Sequence, residues 1–147
     1  MSAISLAARQ FGPPAEVPHV LPAVAEAVAG VRVAFDGHPV HAWADGHGGA
    51  HVMVLDVYAG PRMTPATTWL GFHVNHLCPA TDTYPHYVRG DLVRADGAPH
   101  TPPISGPVDW HGTPALQVSR ASHRRNAVTD TPGRKAHSVL DWLRTQT

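Results

Sequence analysis

The sequence predicts an α+β domain: an N-terminal helix, a four-stranded antiparallel meander, an irregular proline-rich region and a C-terminal helix. Three observations carry that reading. Between residues 31 and 76, four β-prone segments are separated by connections too short to hold crossover helices. Beyond Pro79, prolines at 85, 99, 102, 103, 107 and 114 break the chain too often for long regular elements. From Thr131 onward, a capping residue, a first-turn proline and an apolar stripe at helical spacing follow one another.

Taken in order, residues 1–18 form an expected flexible N-terminal arm, because Gly12, Pro13, Pro14 and Pro18 discourage regular structure. Residues 19–147 then form a single domain. A helix over 22–29 starts on Pro22, gathers Leu21, Val24, Ala25 and Val28 on one face, and stops at Gly30. Val31 to Phe35 is expected as the first strand, turning at Asp36-Gly37. Val40 to Ala44 is the second, ended by the turn Asp45-Gly46-His47-Gly48-Gly49. His51 to Tyr58 is the strongest apolar run of the first half, and Thr67 to His76 carries Trp69, Phe72 and Val74. Short extended pieces are expected at 87–94 and 115–118. In the closing helix Thr131 caps, Pro132 leads, and Ala136, Val139, Leu140 and Leu143 form the buried stripe.

Composition narrows the function classes. The chain has 147 residues, 43% apolar and 15% charged, enough to bury a core and too apolar for a disordered segment. Eleven basic residues balance eleven acidic ones, so no global charge draws it to nucleic acid or a membrane surface. The clearest basic cluster is Arg120, Arg124 and Arg125 with His123 beside it. A single cysteine excludes an internal disulfide, and no apolar run approaches a membrane span of about 18 residues. With no secretory-type start, a cytoplasmic protein is expected.

The chemistry-bearing residues are sparse and scattered. Twelve histidines invite a metal, with His38/His41, His47/His51 and His73/His76 as the close pairs. Residues three apart on a strand point to opposite faces, so neither His38/His41 nor His73/His76 chelates, and no zinc spacing occurs. No metal and no cofactor are expected, since phosphate loops and dinucleotide fingerprints are also absent. Cys78 with His76 two residues earlier is a candidate nucleophile and base, although a lone cysteine also serves as a small buried hydrophobe. Asp109-Trp110-His111-Gly112 places an acid, an indole and an imidazole together in an expected loop. In that loop Trp110 is equally a plug for the core.

The order of elements, with a strand running toward Tyr84-Pro85, resembles the ubiquitin-conjugating enzyme fold, and in particular its divergent bacterial branch. The resemblance extends over most of residues 22–145. In that family a His-Pro-Asn motif follows the Tyr-Pro pair, and the equivalent spacing here lands on His100-Thr101-Pro102. Ten residues later, where the family carries its thioester cysteine, stands Trp110. The family's Gln-Trp-Ser segment falls on Gln117-Val118-Ser119, and Gln117 to Arg120 followed by a capped helix is similar to the bacterial branch.

The resemblance implies a component of a bacterial ubiquitin-like modification pathway that lacks the usual thioester and acts by binding. Its implied partners are a ubiquitin-like modifier, an activating enzyme or a deubiquitinase-like peptidase. The binding residues would be Tyr84, Pro85, Tyr87, Asp109, Trp110, Gln117 and Arg120, with His100 organising the loop. Two alternatives stay open. One is a rearranged transferase using Cys78; the other is a histidine- or metal-dependent enzyme using His100, His111 and Asp109.

Overall fold

The computed structural model describes residues 17–146. Residues 1–16, most of the expected arm, lie outside the described residues, whereas Val17 is buried against the core and Val20 bridges to Gly48.

Helix α1 spans Pro22–Ala34, so the expected strand at Val31–Phe35 is instead its last turns and C-cap. Val24, Val28, Val31 and Phe35 recur at spacings of four, three and four, and all are buried. The reduced helix propensity of valine is at most about 0.7 kcal/mol per residue, whereas burying such a side chain stabilises by about 1.5–3 kcal/mol. Helical spacing therefore wins over β-branching, and Gly30 is carried inside the helix rather than ending it.

Eight strands follow: β1 (Val40–Ala44), β2 (Ala50–Tyr58), β3 (Met63–Thr64), β4 (Thr67–Val74), β5 (His86–Arg89), β6 (Val93–Arg94), β7 (Ile104–Trp110) and β8 (Thr113–Val118). Six form one sheet in the order β1-β2-β4-β5-β8-β7, with every neighbouring pair antiparallel. β3 and β6 pair as a separate two-stranded ribbon. The expected four-stranded meander over 31–76 is thus corrected. Three of its members are β1, β2 and β4, and the fourth is β5, which begins directly after Tyr84-Pro85.

The proline-rich region, expected to be irregular, contains the β7–β8 hairpin. Pro107 does not break it because β7 is an edge strand and the register shifts between Ser105 and Val108, where a missing N–H is tolerated. Helix α2 (Pro132–Arg144) matches its expected signals: Thr131 Oγ1 accepts from the Arg134 N–H at 3.3 Å, and Ala136, Val139, Leu140 and Leu143 are buried.

Alternation along the strands divides the sheet cleanly. Val52, Val54, Leu70, Phe72, Val88, Leu116 and Val118 face both helices and form the main core. The helices meet closely at Gly133, where an added Cβ would lie 3.1 Å from Ala34 Cβ. His137 stacks on Phe35 at 4.0 Å and its Nε2 donates to the Ala34 carbonyl at 2.7 Å, tying α2 to the end of α1. Among the described residues the opposite face carries no helix. It has its own smaller cluster of Met53, Leu55, Trp69, Trp110 and Ala115, flanked by Trp43, Tyr87 and Val108. Among the described residues no helix is long and apolar enough to cross a membrane.

Candidate functional site

The helix-free face is where chemistry-bearing side chains gather. Cross-strand register puts Trp43 opposite His51 and His51 opposite His73, so three residues far apart in sequence form one lateral row. The next row is His41, Met53, Gly71, Tyr87 and Gln117. Gly71 leaves a gap there, and the Trp110 indole fills it: a Cβ at Gly71 would fall 2.5–2.9 Å from three ring atoms. The indole stacks on Trp69 at 5.4 Å and on Tyr87 at 5.5 Å, and Trp110 is only 6% exposed.

Trp110 reaches this gap because β7 ends in a two-residue turn. His111 (φ 50°) and Gly112 (φ 79°) both lie in the left-handed region, as the tight hairpin connection requires. The Gly112 N–H donates to Asp109 Oδ2 at 3.2 Å. His111 projects over the first row, with its ring 4.2 Å from that of His51, 5.3 Å from that of Trp43 and 4.7 Å from that of Trp110.

At the other end of the row a carboxylate fixes the geometry. Asp45 opens the β1–β2 turn, and its Oδ1 accepts the N–H groups of His47 at 2.7 Å and Gly49 at 3.0 Å. Its Oδ2 accepts from His73 Nε2 at 2.7 Å, and the His73 ring stacks on His51 at 4.5 Å. Burial raises the Asp45 carboxyl, but the bonds from His73, His47 and Gly49 outweigh it and bring the group down to about 2. His51 is held down to about 4, by burial first and then by the neighbouring His111 and His73, with Asp45 opposing. His111 is lowered by burial and by His73 against the pull of Asp109. His51 Nδ1 is buried and has no hydrogen-bond partner among the described residues. Among the described residues no group of three His, Cys, Asp or Glu side chains is arranged to hold a metal ion.

The residues singled out in the sequence fall in five places. Tyr87, Trp110, Gln117 and His111 share the helix-free face, with Asp109 at the hairpin turn; Gln117 Nε2 donates to Ser119 Oγ at 3.0 Å. Tyr84 is exposed and Pro85 half-buried at the entrance to β5. Arg120 lies against α2, its guanidinium 4.6 Å from the Trp142 ring, so it does not join that face. His100 donates from Nε2 to the Leu92 carbonyl at 2.7 Å, and no described hydrogen bond or ring contact joins it to His111 or Asp109. The described ring contacts instead join His111 to His51 and, through it, to His73.

Cys78 lies after β4 in a turn, with its N–H bonded to the Asn75 carbonyl, and packs half-buried against the main core. Burial pushes its thiol up, with Arg125 opposing, and no described hydrogen bond links Sγ to an imidazole. That environment suits the small-hydrophobe reading of Cys78 and disfavours the thiolate an attack requires. Nearby, the only lysine is committed to structure. Lys135 Nζ donates to Asp82 at 2.9 and 3.1 Å and to Ser122 Oγ at 2.6 Å, while Arg125 donates to the carbonyls of Pro79 and Ala80.

Trp43, Asp45, His51 and His73 were not grouped by sequence reasoning. The signal was the glycine-rich turn: closing it as a hairpin pairs Trp43 with His51, and pairing β2 with β4 brings in His73. No family model, no curated protein and no solved structure matches the chain.

Proposed function

We propose that the chain is a ubiquitin-conjugating-enzyme-like domain of a bacterial ubiquitin-like modification pathway, acting in the cytoplasm as a binding or scaffold component without a thioester. The layout supports this reading: an opening helix, antiparallel β1, β2, β4 and β5 in sequential order, Tyr84-Pro85 at the head of β5, and a closing helix on the same side. One observation carries the non-thioester part. Counting forward from Tyr84-Pro85 reaches Trp110, which bears no thiol and is 6% exposed beneath its aromatic neighbours. The alternative nucleophile, Cys78, sits where burial disfavours its thiolate. Binding to a modifier, activating enzyme or deubiquitinase-like peptidase would use the half-exposed Tyr87 and Gln117 with the exposed Tyr84 corner.

The test is a charging assay with ATP, a bacterial ubiquitin-like modifier and its activating enzyme. The expected outcome is no thiol-sensitive adduct on a non-reducing gel, together with measurable binding of one of those two proteins by calorimetry. A dithiothreitol-sensitive adduct that disappears in Cys78→Ser replaces this reading with the rearranged transferase.

A further inference from the structure

Three Asp-Gly pairs punctuate the chain, at 36–37, 45–46 and 96–97. Each glycine takes the left-handed conformation, with φ of 90°, 84° and 78°, so the glycine backbone is alike in all three turns. Asp-Gly is also the dipeptide in which main chain most readily attacks side chain, because glycine sets no Cβ beside the attacking nitrogen. What differs is how each turn holds the two reacting groups.

Asp45 is engaged at both carboxylate oxygens, Oδ1 by the N–H groups of His47 and Gly49 and Oδ2 by His73. Asp96 is engaged at both by Arg94, and at Oδ1 also by the Ala98 N–H. The Gly97 N–H next to it is spent on the Arg94 carbonyl at 3.0 Å. Despite the burial of Asp45, these bonds bring both carboxyls down to about 2, where they are ionised and poor targets for a nitrogen. Asp36 stands apart. It is exposed, and its carboxylate takes part in no described hydrogen bond or ion pair. In its turn the N–H groups of Asp36 and His38 donate to the Val33 and Phe35 carbonyls at 3.3 and 3.0 Å. The Gly37 N–H between them has no described acceptor, and Gly37 is itself exposed.

We propose that Asp36-Gly37 is a self-modifying site: in the folded protein it, rather than Asp45-Gly46 or Asp96-Gly97, passes through a succinimide to isoaspartate. This inference does not depend on the pathway reading above. The Gly37 nitrogen loses its proton to solvent and bonds to Asp36 Cγ, from which one oxygen leaves as water. Water then opens the ring. Addition at the side-chain carbonyl restores aspartate. Addition at the former main-chain carbonyl leaves the chain running through Cγ with the α-carboxylate free, and the product has the mass of the starting chain. The place matters because both ends of this short connection are anchored. Phe35 is buried and stacked on His137, and the Pro39 carbonyl accepts from the Leu55 N–H at 2.9 Å. Isoaspartate lengthens the main chain between these anchors by one carbon. It also presents a carboxylate that an isoaspartyl-specific methyltransferase esterifies with the methyl group of S-adenosylmethionine.

The test is incubation of the full chain in warm neutral buffer for several weeks, folded and in parallel in guanidinium chloride, followed by peptide mapping. Electron-transfer fragmentation distinguishes isoaspartate from aspartate at each site, and methyl uptake from labelled S-adenosylmethionine counts the total. In the folded chain, isoaspartate at 36 should exceed that at 45 and at 96 by about tenfold, since those carboxylates must first give up charge-assisted hydrogen bonds. In guanidinium chloride the bonds are gone and the three sites should react at similar rates. Asp36→Glu, which would have to close a larger ring, should remove most of the methyl uptake of the folded chain. Equal accumulation at the three sites of the folded chain overturns the proposal, and so does an excess at 45 or 96. A folded chain that stays unmodified at 36 while the denatured chain reacts there overturns it as well.

Discussion

Gly71 and Trp110 form a single packing unit although 39 positions of chain separate them. The indole occupies the volume a side chain would take at Gly71, and Trp69, Tyr87 and Trp43 close around it. Even a methyl group is too much there, since its nearest ring atom would be 2.5 Å away. Gly71→Ala should therefore force the indole outward and destabilise by about 1–3 kcal/mol, the usual range for overpacking. Urea unfolding measures the loss, and near-ultraviolet circular dichroism should show the tryptophan signal weakened at the same time. An unchanged near-ultraviolet spectrum would mean that Trp110 does not occupy the gap. The sequence exposed both candidates for Trp110, loop residue and core plug, and could not choose between them. The choice rests on Gly71, whose missing Cβ has no sequence signature until β2, β4 and β5 are placed side by side.

At the scale of elements, legibility followed how local the governing contacts are. Helix α2 was readable because everything that defines it lies within one turn or one stripe: Thr131, Pro132, and Ala136, Val139, Leu140 and Leu143. Thr131→Ala should cost about 1 kcal/mol, the ordinary loss for an N-cap, read as a lowered urea midpoint with an unchanged slope. A loss within error would show that the long 3.3 Å bond to Arg134 adds nothing in solution. The second half of α1 was misread because Val31 and Val33 are β-branched, and only the packing of Val31 and Phe35 against α2 and the sheet reveals the helical period. The β7–β8 hairpin was half-read: residues 115–118 were recognised, but Pro107 hid the partner strand because an edge position and a register shift absorb it. The histidine row failed for a similar reason. β4 ends at Val74, so His76 lies beyond the strand, and the partner of His73 is His51 across the sheet.

At the scale of the whole molecule, the described helices pack on one sheet face, and beside the lowered carboxyls of Asp45 and Asp82 two histidine sites on opposite faces make the fold sensitive to acid. The first is the histidine row on the helix-free face. The second is His86, buried on the helix side in the row Phe72, His86, Val118, with 0% exposure and, among the described residues, no hydrogen-bond partner for either ring nitrogen. Burial, with Lys135 adding to it and Asp82 opposing, pushes His86 down to about 3. A histidine lowered below its ordinary 6.5 contributes full stability above that value and loses it as pH falls through the folded value, because the unfolded chain takes up the proton first. Between pH 6.5 and about 3, His86 alone should tilt stability by about 1.4 kcal/mol per unit. His86→Leu replaces the ring with an apolar side chain of similar size. It should therefore hold or raise stability at pH 7, by up to about 1–3 kcal/mol for removing unpaired buried polar atoms. It should also lower the slope of stability against pH by one proton's worth below pH 6. Urea titrations of both proteins at pH 7, 5.5 and 4.5 separate the two effects. Parallel curves for wild type and variant would mean that His86 finds a proton partner in the folded state.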